Sequence, residues 1–106
     1  MTYVNNIISD LKDYLQASIG DKIKDVILFG SRAYNNSLEN SDYDILIILN
    51  SEYDWKEENN IIDLCYDINL KYDIIIDPHI ISVFELNELR GRQTIFSKAI
   101  RSGVYA

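Results

Sequence analysis

Two segments of this 106-residue chain have residue types and spacings that could do chemistry: Phe29-Gly30-Ser31-Arg32 and Ser41-Asp42-Tyr43-Asp44. Gly30 follows a short apolar run where the chain must turn, and without a Cβ it lets a ligand approach the backbone. Ser31 then stands at the expected start of a short helix, where unpaired N–H groups and the helix dipole favour an anion such as phosphate. Asp42 and Asp44 lie two residues apart, so on an extended chain they project to one face with Cα atoms about 6.5 Å apart. Side-by-side carboxylates at the rim of an apolar core repel each other unless they are solvated, protonated or bridged by cations. Oxygen ligands of this kind suit Mg²⁺, which takes one or two carboxylates together with substrate phosphates. Asp73 offers a third carboxylate, and an acid leading into Ile74-Ile75-Ile76 needs a reason to be there. Asp77 shares its face by strand parity but stands beside Pro78 and reads as a turn residue, which makes Asp73 the preferred third ligand. In a two-metal site such a carboxylate can hold the ion that activates the attacking hydroxyl.

These residues need elements to position them. Val4, Ile7, Ile8, Leu11, Leu15 and Ile19 follow the helical period, with Gly20 as a C-terminal stop. Val26-Ile27-Leu28-Phe29 reads as a buried strand, the polar stretch from Asn35 to Ser41 as a loop, and Ile45 to Leu49 as a strand apolar on both faces, hence central in a covered sheet. Asn50 to Asp54 supplies turn and cap residues for an amphipathic helix outlined by Trp55, Ile61, Ile62, Cys65 and Ile68; Asp63 and Asp67 lie on that helix. Tyr72 to Ile76 is expected as a third strand, closed by Pro78, which cannot donate to a sheet ladder. Ser82 and Glu85 have capping-box spacing for a short helix through Leu89, broken by Arg90-Gly91-Arg92. Thr94 can cap a last helix through Arg101, with Gly103 beyond its end. The expectation is one α/β (α+β) domain over residues 1–106, a small sheet with flanking helices.

Composition narrows the function classes. Ten Lys and Arg against seventeen Asp and Glu give a formal net charge of −7. Such a balance argues against direct nucleic-acid binding and against docking to an anionic membrane. It leaves room for a polyphosphate bridged by metal, because the cation reverses the local sign. Cys65 is the single cysteine, which excludes an intramolecular disulfide and fits a reducing cytoplasm. Neither a signal peptide nor a membrane span is legible.

Gly30-Ser31, a spacer and Asp42-Tyr43-Asp44 followed by hydrophobics resemble the signature of the DNA polymerase β-type nucleotidyltransferase superfamily. More closely, the chain is similar to the minimal nucleotidyltransferases encoded beside a HEPN-domain protein. The likeness extends from the leading helix through Leu28-Phe29-Gly30-Ser31-Arg32-Ala33, Ser41-Asp42-Tyr43-Asp44 and Lys71-Tyr72-Asp73-Ile74 to the segment Phe96 to Gly103. The resemblance implies the polymerase β-type fold, with a mixed sheet, and transfer of AMP from ATP to an acceptor hydroxyl. It assigns Gly30 and Ser31 to the triphosphate, Arg32 to phosphate or to bracing the loop, and Asp42, Asp44 and Asp73 to two Mg²⁺ ions. It also implies a HEPN-domain toxin as partner, modified on a tyrosine, with this chain as the antitoxin of the pair. Where many relatives carry a glycine after the arginine-alanine pair, this chain reads Tyr34-Asn35-Asn36.

Other residues read more plainly. His79, the single histidine, follows a proline and is expected in a turn or packing role. Cys65 fits a small core residue, Trp55 a core or edge anchor of its helix, and Tyr43 should face away from the two acids that flank it. Two other function classes stay open on sequence: a catalytically silent antitoxin that occludes its partner, and a small-molecule (antibiotic) nucleotidyltransferase. So does assembly as a homo- or hetero-oligomer.

Overall fold

Apolar residues at helical spacing make the first element, α1 (Thr2–Ile19), whose Ile7, Ile8, Leu11 and Leu15 are all buried. The computed structural model of the chain describes residues 2–30, 32–33, 42–86 and 94–106. A 3-10 turn, Gly20–Lys22, leads from α1 into β1 (Ile23–Phe29), and β2 (Tyr43–Leu49) returns antiparallel to it, with Phe29 opposite Asp44 and Leu28 opposite Ile45. Both strands start earlier than their apolar runs suggest, so Asp44 lies inside β2 and Asp42 just ahead of it.

Asp54 caps α2 (Trp55–Tyr72) by accepting a hydrogen bond from the Glu57 backbone N–H at 2.9 Å. Ile61, Cys65 and Ile68 form its buried stripe, while Trp55 at its start is largely exposed instead of anchoring a core. Here the structure corrects the expected third strand. The helix continues through Tyr72, Asp73 is its C-cap in the left-handed conformation (φ 54°), and β3 runs from Ile76 to Ser82 with Pro78 inside it. Proline is tolerated because β3 is an edge strand, where an N–H pointing away from the sheet has no ladder partner to lose.

Ser82 and Glu85 form the expected reciprocal cap: the Ser82 N–H donates to Glu85 Oε1 at 3.1 Å and the Glu85 N–H to Ser82 Oγ at 3.3 Å. They start α3 (Val83–Leu86). Its expected extension to Leu89 and the break at Arg90-Gly91-Arg92 lie outside the described residues, as do the loop from Asn35 to Ser41 and the Tyr34-Asn35-Asn36 segment. α4 (Thr94–Ser102) is closed by the Gly103 N–H donating to the Ala99 carbonyl at 2.8 Å. The last two-residue strand, β4 (Val104–Tyr105), pairs antiparallel with β1 and was not legible beforehand, being too short to show a pattern.

The sheet order is β3-β2-β1-β4, with β2 and β3 parallel and the other pairs antiparallel. It is a mixed sheet with helices on both faces. Val26, Leu28, Ile45, Ile47, Leu49 and Ile80 belong to the core shared with α1 and α2. Ile27, Phe29, Leu46, Ile48 and Ile81 form the second core with Phe96 and Ala99 of α4. Each fully buried Leu or Ile contributes about 1.5–3 kcal/mol. That apolar slab is what holds a polar rim at the end of the sheet where β1 finishes and β2 and β3 begin.

Candidate active site

At that rim the strand pairing itself sets carboxylates side by side. Asp44 is flanked in register by Phe29 of β1 and by Asp77 of β3. Alternation along β2 turns Tyr43 into the α1/α2 core, where it is 3% exposed, and puts Asp44 on the α4 side of the sheet with Leu46 and Ile48. Asp77 and His79 share that side on β3. One ligand atom from each of Asp44, Asp77 and His79 lies within 4.8 Å of the others.

Gly30 backs this cluster. Its φ of 75° lies where only glycine is at ease, and a Cβ on it would land on the Asp44 carboxylate oxygen. A side chain there would therefore collide with the acid. The turn continues as the Ala33 N–H donates to the Gly30 carbonyl at 3.1 Å. Arg32 places its guanidinium 4.5 Å from the centre of the Tyr43 ring, a cation–π contact that ties the turn to β2. Ser31 lies outside the described residues.

The electrostatics mark Asp44 as the costly member. Burial pushes its carboxyl above the usual range, and the neighbouring Asp77 pushes the same way, with Asp42 adding to it and His79 opposing. Asp77 is exposed, so it carries less of the desolvation. His79 packs against two aromatic rings, 5.3 Å from Phe29 and 6.0 Å from Phe96 between centroids. Its Nε2 comes within 3.3 Å of Asp77 Oδ2, yet is buried and makes no hydrogen bond to the described residues.

The sequence-derived site residues therefore divide. Gly30 and Asp44 meet at the rim, Asp42 is exposed immediately before β2, close enough to act on Asp44, and Arg32 lies against Tyr43, which faces the other side of the sheet from Asp44. Asp73 does not join the cluster, because it caps α2 and lies on no strand. The acid in register with Asp44 on β3 is Asp77. His79, expected in a turn or packing role, stands with Asp44 and Asp77; its two-residue spacing from Asp77 is the signal that both share one face of a strand. Cys65 behaves as expected; it is buried and its thiol is pushed up to about 12 by desolvation. Among the described residues no helix is long and apolar enough to cross a membrane.

The donor set fits a divalent cation. A partly buried Asp44 carboxylate set beside Asp77 and an imidazole nitrogen with no hydrogen-bond partner among the described residues are both relieved by one positive charge, and Gly30 leaves them room. Comparisons with known proteins give the family. The family described as "Polymerase beta, Nucleotidyltransferase" matches residues 9–101. Two relatives from Methanocaldococcus jannaschii are both named "Putative protein adenylyltransferase". MJ0141 is 40% identical over 72 residues, covering 68% of this chain and 73% of its own length. MJ0604 is 33% identical over 90 residues, covering 85% and 81%.

Proposed function

The chain belongs to the polymerase beta nucleotidyltransferase family and is a nucleotidyltransferase; from that premise we propose that it transfers AMP from ATP to a hydroxyl on another protein. The observation that carries the proposal is Asp44 and Asp77 facing each other in register beside Gly30. The names of the two relatives support the adenylyl group and a protein acceptor.

In this reading Asp42, Asp44 and Asp77 hold two Mg²⁺ ions, with Asp77 in the role that sequence spacing offered to Asp73. Bound there, the cations would neutralise charge on the α-phosphate and on the departing pyrophosphate. Gly30 and Ser31 cradle the triphosphate against backbone N–H groups. Arg32, braced on Tyr43, holds the turn in shape. The acceptor oxygen forms its bond to the α-phosphorus as the bond to the pyrophosphate oxygen breaks. The hydroxyl proton passes to the Asp77 carboxylate, the more solvent-accessible of the opposed pair. No covalent enzyme intermediate is required; positioning and charge carry the rate. The acceptor is a tyrosine of a partner HEPN-domain toxin, and the chain is its antitoxin, as the family resemblance implies.

The test is incubation of the chain with ATP labelled on the α-phosphate, Mg²⁺ and the HEPN partner. Label should move to a partner tyrosine and be lost with Asp44→Ala, while Asp73→Ala keeps it. Absence of transfer by the wild-type chain, or undiminished transfer by Asp44→Ala, overturns the proposal. Label appearing only on a small-molecule acceptor removes the protein-acceptor part.

A further inference from the structure

We propose that His79 is a direct ligand of the cation held at Asp44 and Asp77, through Nε2, and that it biases this site toward ions that accept nitrogen, Mn²⁺ ahead of Mg²⁺. The inference rests on reading Asp44 and Asp77 as that cation's carboxylates.

Three observations carry it. First, the ring is pre-aimed: the Phe29 and Phe96 rings pack against it, and strand alternation puts it on the same side of β3 as Asp77. Second, Nε2 is a buried polar atom without a hydrogen-bond partner among the described residues, which costs free energy unless something fills the position. Asp77 Oδ2 is 3.3 Å away but forms no hydrogen bond with it, a separation suited to two ligands of one ion. Third, one ligand atom of each of the three side chains lies within 4.8 Å of the others, so small side-chain adjustments bring them to a shared centre. Mg²⁺ selects oxygen donors and gains little from an imidazole, whereas Mn²⁺ and later first-row ions accept nitrogen readily.

Metal binding without nucleotide tests it, by calorimetry with Mn²⁺ and separately with Mg²⁺, on wild type, Asp44→Asn and His79→Gln. The expected result is Mn²⁺ binding that Asp44→Asn removes. His79→Gln should weaken Mn²⁺ binding about tenfold or more while changing Mg²⁺ affinity by less than about threefold. Equal weakening for both ions, or Mn²⁺ affinity unchanged in His79→Gln, overturns the role of His79 and leaves the carboxylate site standing. Binding that survives Asp44→Asn removes the carboxylate site and the inference with it. The variant's fold is not essential to the test, because His79 is the single histidine and its ring nitrogens can be followed in the unmodified chain. On adding Zn²⁺ as a diamagnetic nitrogen-accepting probe, the ¹⁵N resonance of Nε2 should move away from its metal-free position. A ring that stays unmoved while the carboxylate site fills overturns the assignment.

Discussion

Gly30→Ala tests the site at its tightest point. The substitution asks a Cβ to occupy the Asp44 carboxylate oxygen's position and an L-residue to adopt a φ of 75°. The backbone penalty alone is about 1–2 kcal/mol, and displacing Asp44 comes on top of it. Denaturant unfolding should show at least that loss, and nucleotidyl transfer should fall about tenfold or more, because misplacing a positioned group even slightly is costly. Wild-type activity in Gly30→Ala would mean that Asp44 is not held against this turn. Asp44 itself predicts the opposite sign for stability. Its folded-state pKa is raised, so the folded chain binds a proton more readily than the unfolded chain does. The destabilisation is therefore full above the folded pKa, and it disappears as pH falls below the unfolded value of about 3.9. Asp44→Asn should melt higher than wild type at neutral pH without divalent ions, and the two curves should converge near pH 4 and below. A variant that melts lower throughout would contradict the charge argument. Asp44 was legible beforehand because its spacing from Asp42 and the apolar run after it mark a rim. Its full cost was not, since that comes first from burial at the end of the sheet and then from Asp77 arriving on another strand.

At the scale of elements, the lesson lies between Tyr72 and Pro78. Ile74-Ile75-Ile76 invites a strand, and Pro78 reads as its end, but two longer-range facts decide otherwise. The α2 stripe of Ile61, Cys65 and Ile68 continues in helical steps to Tyr72, which packs against the α1/α2 core. β3 takes an edge position where Pro78 does no harm, and which strand lies at an edge is decided by pairing, not by local pattern. The shift by about four residues leaves Asp73 at the end of α2 and sets Asp77 in register with Asp44. Capping signals were more reliable because they are local: Ser82 with Glu85 forms the bonds its spacing implies, and Asp54, within the stretch expected to supply cap residues, caps α2. Asp73→Gly separates the two assignments of the third acid. Glycine suits a left-handed C-cap better than aspartate, so the variant should be as stable as wild type or more so by up to about 1 kcal/mol. Its nucleotidyl transfer should be unchanged. A large loss of activity in a well-folded Asp73→Gly would return Asp73 to the site and displace Asp77.

For the whole molecule, the class of the fold followed from strands apolar on both faces, which can only be central in a sheet covered twice, as β1 and β2 are. The formal charge of −7 acts at the same scale. Like charges spread over so small a domain repel in the folded state, and monovalent salt shortens the reach of that repulsion from about 10 Å at 0.1 M to about 3 Å at 1 M. Melting temperature should therefore rise modestly with NaCl in wild type and Asp44→Asn alike. A divalent ion adds a second effect that screening cannot imitate. At matched ionic strength and about a hundredfold over its dissociation constant, specific binding adds about 2.7 kcal/mol, or roughly 10 °C for a domain of this length. That increment should appear in wild type with Mn²⁺ or Mg²⁺ and be missing in Asp44→Asn, whose neutral amide keeps the shape of the rim but not the charge that draws the ion. If both chains gain equally, the cation is responding to the overall acidity of the surface, and the carboxylates at the end of the sheet have no special claim on it.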